Sequence, residues 1–393
     1  MVEIFTIFLR LGLTSFGGPI AHLAYFHDEF VRRRQWLNQR EYADCVSLAQ
    51  FLPGPSSSQV GFAIGLRRGG LIGGLAAWLG FTLPSAVLMA LAATLLVSRA
   101  DLGNLKWLLG INLLTLAVVL HALWSMARTF WSSKEAVVIG LASVVALWWY
   151  QGITVQIAAL VLGGVIGVFF LKSGGQPKSS ESEVTPVASL SPELHRSLGG
   201  LAVFIALFLA ILAGSSLIGV DLARFALRLF RIGATVFGGG HVVLPLMSGE
   251  FVATGEVDAD QFDALYGLAQ ALPGPLFAIA SGVGVLLAPS SWIWYAIVAV
   301  VAVFLPGLTL MSSLLPFWLN LRGIKALIKW TDGVNAASVG LLISVFHHSS
   351  LVATVKGWPE MVVVGLLFGA ITKKVMPTWL LLPISAVVGL ILF

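Results

Sequence analysis

A helix-breaking element occurs twice in this chain, each time in apolar surroundings. Leu48 to Pro55 reads LAQFLPGP and Leu268 to Pro275 reads LAQALPGP, so the two copies differ only at Phe51 and Ala271. At membrane depth, backbone that lacks helical hydrogen bonds is tolerated only where protein or a polar cavity satisfies it. The two Pro-Gly-Pro segments are therefore the first candidates for a binding site inside the molecule.

The composition indicates a helical membrane protein with many spans. Hydrophobic residues make up 58% of the 393 residues and charged residues 10%, and the mean hydropathy is +0.94. A helix needs about 20 apolar residues to cross a bilayer, and unbroken runs near that length favour helices over a barrel. The runs are Gly69 to Val97, Leu105 to Leu123, Ala136 to Tyr150, Ile153 to Leu171, Leu198 to Val220, Trp292 to Leu315 and Met361 to Ile371.

Other features of the composition narrow the class. Cys45 is the single cysteine, which excludes a disulfide framework or a thiolate metal cluster built from this chain alone, and we expect no cofactor and no metal. The net charge of +5 comes from Arg and Lys at segment ends, which orient membrane proteins, so no nucleic-acid partner is expected. The opening MVEIFTIFLRLGLTSF lacks a basic region and a cleavage pattern, and we expect it to remain in the mature protein.

The duplication extends well beyond the Pro-Gly-Pro segments. Matching residues occur in the same order in both halves, and the offset between them drifts only from 220 to 223. They are Arg10-Leu11-Gly12 with Arg231-Ile232-Gly233, Phe16-Gly17-Gly18 with Phe237-Gly238-Gly239, Glu29-Phe30 with Glu250-Phe251, Leu83-Pro84 with Leu305-Pro306, and Gly110-Ile111-Asn112 with Gly333-Val334-Asn335. Two copies with small insertions would give this pattern.

A polar linker and an unpaired apolar segment separate the halves. Lys172 to His195 is rich in Gly, Ser, Pro and charged residues, which cannot bury enough apolar surface to fold. We therefore divide the chain into an N-terminal transporter-like repeat (1–171), a flexible linker (172–197), a connecting transmembrane helix (198–220) and a C-terminal repeat (221–393). Each half holds four clear spans after two broken segments, so the extra helix makes the second half enter the membrane from the opposite side.

The distribution of charge agrees with this inversion. Val31 to Asp44 carries four arginines, whereas the matching Gly249 to Asp263 has five acids and no Lys or Arg. Under the positive-inside rule the N-terminus is cytoplasmic and the C-terminus external, if the broken segments form hairpins. Arg224 and Arg228 then fall on the external side, against the rule. We expect an all-α polytopic membrane protein made of two inverted repeats with broken helices or helical hairpins.

A helix that begins inside the membrane favours an anion, because its first N–H groups are unpaired and its dipole is positive at that end. Pro55 suits the first helical position, and the three serines behind it add hydroxyls for an oxyanion. The second copy has Leu276 to Ala278 there, which predicts an asymmetric site. Alternatively, Pro-Gly-Pro shapes a turn and the serines satisfy local backbone. The candidate residues are Pro53, Gly54, Pro55, Ser56, Ser57 and Ser58, with Pro273, Gly274 and Pro275.

The other matched break is rich in glycine, which permits close approach of the backbone to a ligand or another helix. Its candidate residues are Gly17 and Gly18 in the first half, and Gly238 and Gly239 in the second. His22 and His241 follow these breaks, and each either titrates near neutral pH and couples proton movement to transport, or is hydrogen-bonded inside the bundle. The candidates for proton coupling are His22, Glu29, Glu41, His241 and Glu250.

Arg10 and Arg231 lie at matched positions in apolar sequence, where a guanidinium normally faces a cavity or a partner. Its geometry suits bidentate donation to a tetrahedral oxyanion. The alternatives are pairing with Glu29 or Glu250, or snorkelling to the surface. Two pairs of neutral amides that either line the path or tie helices together are Gln50 with Gln270, and Asn112 with Asn335.

These motifs resemble those of the chromate ion transporter family in its long, two-domain form. The residues that carry the resemblance are FGGP at Phe16 to Pro19, LAQFLPGP at Leu48 to Pro55, FGGG at Phe237 to Gly240 and LAQALPGP at Leu268 to Pro275. The resemblance covers essentially the whole chain, and the second copy departs from the first in having Gly240 in place of Pro19. It implies a bacterial or archaeal inner-membrane protein that exports chromate, with sulfate as a similar dianion that competes or exchanges.

On this basis we expect a secondary transporter driven by the proton motive force, because the sequence has no GxxxxGK[ST] P-loop for direct use of ATP. The alternatives are uptake or exchange of sulfate or another anion, and a passive anion channel. An integral-membrane enzyme is disfavoured, since Cys45 and scattered histidines supply no recognisable ligands for a redox centre. Besides the lipid bilayer, a second copy of the chain is a partner if the glycines from Gly69 to Gly74 pack helices between chains rather than within one.

Overall fold

A computed structural model of the chain describes residues 1–16, 18–98, 106–150, 153–171, 202, 221–237, 242–318, 324–347, 355–373, 375–376 and 378–392. These residues form helices and turns, with no strand among them. The linker (172–197) and the connecting helix (198–220), apart from residue 202, lie outside the described residues.

The described residues of the first half form seven α-helices. They are α1 (Val2–Thr14), α2 (Gly18–Phe26), α3 (Gln39–Phe51), α4 (Ser56–Ser98), α5 (Lys106–Phe130), α6 (Lys134–Trp149) and α7 (Ile153–Phe170). Helix α2 continues as a π-helix over His27–Arg33. Helix α4 bends sharply at Gly69 and Gly70, where the backbone is not helical and Gly70 has a φ of 62°.

The second half repeats this order. Its helices are α8 (Asp221–Thr235), α9 (Val243–Met247), α10 (Ala259–Ala271), α11 (Ile279–Leu287), α12 (Trp292–Leu314), α13 (Lys325–His347), α14 (Trp358–Thr372) and α15 (Thr378–Leu392). Helix α9 continues as a π-helix over Ser248–Val252, and 3₁₀ turns occur at Leu276–Ala278, Pro289–Ser291 and Leu315–Phe317. The π-helical segments thus fall at matched places in the two halves.

The helices that lead into the Pro-Gly-Pro segments start and stop for local reasons. Helix α3 begins at a capping box, in which the Asn38 side chain accepts from the Glu41 N–H and the Glu41 carboxylate accepts from the Asn38 N–H. Asp258 caps α10 at the matched position by accepting from the Gln261 N–H at 3.0 Å. Both helices end where proline, which has no N–H, follows the last bonded leucine.

Several helices have the length and surface of membrane spans. Ser56–Ser98, Leu109–Phe130 and Pro289–Leu314 are long and apolar enough to cross a membrane, and Thr154–Phe170 and Trp358–Thr372 are shorter apolar helices. Beyond the bend of α4, exposed apolar side chains recur at every fourth position. They are Leu71, Leu75, Leu79, Leu83, Val87, Leu91 and Leu95. Such a continuous exposed apolar ridge along a helix fits contact with lipid, and the chain is a multi-pass membrane protein.

Glycines after the bend of α4 are used within the chain. Gly73 lies against the backbone of Gly65, and Gly74 lies against the ring of Phe62, so the two arms of α4 pack on each other. In the second half, α11 and α12 pack together in the same manner through Gly284. This glycine pattern therefore packs helices inside one molecule.

Helices of each half also pack against helices of the other half. Helix α5 of the first half packs against α14 and α15 of the second, and α13 of the second half packs against α6 and α7 of the first. Both contacts depend on glycine, because Gly110 touches the Ser385 carbonyl and Gly333 touches the Gly163 carbonyl, with no room for a side chain. These contacts join the two halves through α5 and α13.

Candidate functional site

Each Pro-Gly-Pro segment is docked on the broken helix of the other half. The Gly54 N–H donates to the Val236 carbonyl just after α8 (2.8 Å), and the Gly274 N–H donates to the Ser15 carbonyl just after α1 (3.1 Å). Ser15 and Val236 are matched positions, and carbonyl groups at the end of a helix lack an intrahelical partner. These two hydrogen bonds therefore satisfy one carbonyl after α1 and one after α8, and they hold each Pro-Gly-Pro segment against the other half.

The conformation of each segment requires glycine. Gly54 has a φ of 117° and Gly274 a φ of 95°, in the left-handed region that side chains disfavour. A Cβ on Gly54 would lie 3.2 Å from the Gly307 Cα in α12, and a Cβ on Gly274 would lie 2.8 Å from the Ser85 Oγ in α4. Each segment thus also packs against the proline-containing helix of the other half.

The start of α4 presents unpaired donors. Its first intrahelical hydrogen bond runs from the Gln59 N–H to the Pro55 carbonyl (2.9 Å), so the N–H groups of Ser56, Ser57 and Ser58 have no acceptor within the helix. The prediction that Pro55 is the first helical residue is wrong by one position, since the helix begins at Ser56. Ser57 and Ser58 are buried, and Ser56 is half-buried.

His22 is in contact with this helix start. Its Nδ1 lies 3.2 Å from the Ser57 Oγ, its Nε2 lies 3.2 Å from the Ser15 carbonyl oxygen, and its ring meets the Phe81 ring edge to face. A carbonyl oxygen only accepts, so Nε2 carries a hydrogen and donates to Ser15. The Ser15 carbonyl therefore accepts hydrogen bonds from the Gly274 N–H of the other half and from the His22 ring.

Near these segments, four buried polar atoms have no hydrogen-bond partner among the residues that the structure describes. They are the hydroxyls of Ser15, Ser58 and Thr82 and the Oε1 of Gln59. Sequence reasoning missed Ser15, Thr82, Ser85 and Gln59. For Gln59 a signal was present, because the second copy has Ile279 at the matched position, just as it lacks the serines.

The second segment has a different surrounding. The Ala278 N–H bonds to the Pro275 carbonyl (3.0 Å), which makes the residues from Leu276 a 3₁₀ turn rather than a regular helix start. The Phe277 ring packs against Phe304, with 5.6 Å between centroids. The nearby hydroxyl of Ser281 is satisfied by the Ala86 and Ala278 carbonyls. The residues after the second Pro-Gly-Pro segment are therefore in apolar surroundings, whereas those after the first are in polar surroundings.

Arg10 and Arg231 are ion-paired, as the alternative interpretation of the sequence expected. Arg10 Nη2 lies 3.2 Å from Glu29 Oε2, and Glu29 also binds Arg33 and Arg34. Arg231 Nη2 lies 2.9 Å from both carboxylate oxygens of Glu250. The pairs occupy matched positions, but the side chain of Arg10 is 55% exposed and that of Arg231 only 16%.

Three further ion pairs involve residues singled out by charge. Arg228 binds Glu250 and Glu256, each at 2.8 Å. Donation by Arg228 lowers the pKa of Glu256 below its ordinary value. Glu41 caps α3 and pairs with Arg67 at 3.2 Å.

The other candidates are spread more widely. Gln50 is exposed at the end of α3 and its counterpart Gln270 is half-buried. Asn112 on α5 and Asn335 on α13 each have a buried Oδ1 without a hydrogen-bond partner. Gly18 begins α2 with a φ of 73°. The candidates that lie outside the described residues are Gly17, Gly238, Gly239 and His241.

Broken helices that meet inside a multi-pass helical membrane protein define a membrane transporter. The family described as chromate transporter matches residues 2–168 and again residues 223–390, and the chain belongs to this family.

Relatives are found over most of the chain. It is 28% identical to the probable chromate transport protein of Synechococcus elongatus over 348 residues, which cover 85% of this chain and 81% of the relative. It is 25% identical to the chromate transport protein of Cupriavidus metallidurans, over 85% of this chain and 79% of the relative. It is 26% identical to the chromate transport protein of Pseudomonas aeruginosa, over 86% of this chain and 79% of the relative. No solved structure matches the chain.

Proposed function

We propose that the chain is a secondary transporter that moves chromate across the cytoplasmic membrane and holds the anion at the start of α4. The observation that carries the proposal is the reciprocal docking of the Pro-Gly-Pro segments, which places a helix start with unpaired N–H groups at the boundary between the halves. Family membership and the printed names of the relatives support chromate as the substrate.

The chemistry of this helix start suits a tetrahedral oxyanion. Unpaired N–H groups and the positive end of the helix dipole favour negative charge. The hydroxyl of Ser58 is buried and has no partner, so it is available to a ligand. Ser57 bonds to His22, which links a titratable group to the same helix turn. The second segment supplies no side-chain hydroxyl at the matched positions, so the first half provides the polar contacts.

We further propose that transport is efflux and that it uses the proton motive force. An inside-negative potential of about 100 mV favours outward movement of one negative charge by about 2.3 kcal/mol, so export of an anion gains from it directly. His22 is the candidate for proton coupling that the structure brings against the helix start, while Glu29 and Glu250 are held by arginines.

The two halves are proposed to be inverted across the membrane. Matched helices, reciprocal contacts and the opposite charges of Val31 to Asp44 and Gly249 to Asp263 support this arrangement. A cysteine placed at Asp258 and treated with a membrane-impermeant reagent tests the orientation. We expect labelling from outside the cell, and labelling from the cytoplasm alone would contradict it.

Transport is tested in proteoliposomes that hold the purified protein and an imposed pH gradient. We expect chromate to move against its concentration gradient, whereas movement only down the gradient would indicate a passive channel. Chromate accumulation in cells separates direction, because export lowers it and import raises it. Sulfate flux without chromate flux would contradict the substrate.

A further inference from the structure

The side chain of Gln59 is held at the start of α4 with its carbonyl oxygen unused. Its Nε2 donates to the carbonyl oxygens of Pro53 (2.9 Å) and Gly307 (3.3 Å). Since carbonyl oxygens only accept, the atom that faces them must be the nitrogen, and the orientation of the amide is fixed. Oε1 is then a fully buried acceptor that no donor from the described residues reaches.

This acceptor lies at the end of the helix where the unpaired donors are. Pro53 stands three residues before the first residue of α4, so the Gln59 amide folds back toward the Pro-Gly-Pro segment. The N–H groups from Ser56 to Ser58 and the free Ser58 hydroxyl lie on the same turn. A buried acceptor without a donor is unfavourable, and a ligand that carries both anionic oxygens and an O–H group would satisfy donors and acceptor together.

The charges of the neighbouring side chains also favour a ligand with a single negative charge. Arg10 is paired with Glu29 and Arg231 with Glu250, so each guanidinium already has a carboxylate as its counter-ion, while the buried Nε of Arg231 donates to no described atom. The donors that remain at the Pro-Gly-Pro segment are neutral N–H and hydroxyl groups. Burying a dianion among neutral donors is more costly than burying a monoanion.

We propose that the site selects the monoprotonated form of its oxyanion, hydrogen chromate, over fully ionised sulfate, with Gln59 as the residue that determines this specificity. The inference rests on the chromate transport proposed above. Chromate gains a proton close to neutral pH, whereas sulfate stays a dianion until strongly acidic pH. The helix N–H groups and Ser58 donate to the anionic oxygens, and Gln59 Oε1 accepts from the O–H group. A site that hydrogen-bonds a substrate hydroxyl rejects an analogue without it by as much as about 10⁴-fold.

The test is equilibrium binding of chromate and of sulfate to the purified full-length protein, from about pH 6 to about pH 8. Sulfate is the internal reference, because both anions meet the same protein groups at each pH. The buried titratable side chains on the elements packed against α4 are His22 on α2, Tyr42, Asp44 and Cys45 on α3, and Asp263 and Tyr266 on α10. We expect the affinity for chromate relative to sulfate to fall roughly tenfold per pH unit once chromate is mainly ionised. A constant ratio would overturn the proposal.

Two variants assign the effect to its residue. Gln59→Leu removes the acceptor, so the preference for chromate should become independent of pH. Ser58→Ala removes only a donor, so it should lower the affinity for both anions by a similar factor and keep the pH-dependent preference for chromate. A pH-dependent preference that persists in Gln59→Leu would overturn the role of Gln59, and the wild-type series remains decisive if that variant does not fold. Failure of the wild type to bind chromate at any pH would instead contradict the proposed transport function.

Discussion

After the first Pro-Gly-Pro segment the chain starts a regular helix with three serines, whereas after the second it makes a 3₁₀ turn from Leu276 to Ala278. Before these points the two copies are alike. Gly54 and Gly274 both have positive φ, and each donates its N–H to a matched carbonyl of the other half. The backbone of the duplicated element thus docks the halves, and the residues behind it give polar chemistry to one side only.

The same contrast appears in the residues that surround each segment. Gly307 leaves space against Gly54, and Gln59 fills it with hydrogen bonds to two carbonyls. At the matched place Ser85 stands against Gly274, and Ile279 replaces Gln59. The first segment is therefore fixed by backbone and a buried amide, and the second by backbone and apolar packing.

The largest effect is expected where the two copies are alike. Gly54→Ala should destabilise the protein by about 2 to 6 kcal/mol, since backbone strain at positive φ and a clash with the Gly307 backbone add together. Gly274→Ala should cost about as much, about 2 to 6 kcal/mol, because the added Cβ would lie 2.8 Å from the Ser85 Oγ and 3.0 Å from the Ser85 Cβ, which cannot rotate away. Chemical unfolding in detergent measures both.

A glycine in an open position is the control for this pair. Gly365→Ala on α14 places a Cβ where no atom lies within 4 Å, so stability should not fall. Ser85→Gly should recover part of the loss in Gly274→Ala. Equal stability of Gly54→Ala and Gly365→Ala would contradict the docking role of the segment.

The matched ion pairs should differ in strength because they differ in burial. Arg231→Ala should cost about 1 to 2 kcal/mol, less than the loss from breaking an isolated buried pair, because Glu250 keeps Arg228. Arg10→Ala should cost at most about 1 kcal/mol, since its side chain is 55% exposed and Glu29 keeps Arg33 and Arg34. Denaturant unfolding compares the two. If Arg10→Ala abolished chromate binding at unchanged stability, the ion-pair role would be wrong and Arg10 would contact substrate.

Variants of two neighbouring serines in the first copy should distinguish a role in stability from a role in binding. Ser57→Ala leaves His22 Nδ1 without its partner and should cost about 1 to 2 kcal/mol. Ser58→Ala removes a hydroxyl that has no partner and should change stability by less than about 0.5 kcal/mol. Thermal unfolding of the two variants measures the difference, and equal losses would show that Ser58 is bonded in the folded protein.

The smallest effect concerns the ion pair of Glu256 with Arg228, which has no counterpart in the first half. Because Arg228 lowers the pKa of Glu256, the pair contributes stability above the ordinary carboxyl value of 4.5 and loses it as pH falls through the lower folded value. We expect Glu256→Gln to be less stable than wild type by under about 1 kcal/mol at neutral pH, and equal to it in strong acid. A difference that grows on acidification would contradict this.

The sequence allowed the breaks to be located because proline and glycine act locally. LAQFLPGP and LAQALPGP predict where α3 and α10 end, and the caps at Asn38 and Asp258 are local as well. The absence of hydroxyls after Pro275 is likewise visible in the sequence. These features depend on neighbouring residues, so no knowledge of tertiary contacts is needed.

What could not be predicted depends on contacts between distant segments. Nothing local indicates that Gly54 bonds to Val236, or that α5 packs against α15 of the other half. The sequence left open whether Arg10 meets substrate or Glu29, because both partners suit a guanidinium. Gln59 was missed since its amide reads as an ordinary helix residue until Pro53 and Gly307 are placed beside it.

The central claim is that the start of α4 holds the transported anion. Chromate flux in proteoliposomes tests it directly when wild type is compared with Ser58→Ala and with Ser281→Ala, a buried serine whose hydroxyl is already satisfied. Loss of a hydrogen bond to a charged ligand should raise the chromate concentration for half-maximal flux about tenfold or more in Ser58→Ala, and leave it unchanged in Ser281→Ala. An unchanged value in Ser58→Ala, or an equal rise in both variants, would contradict the account.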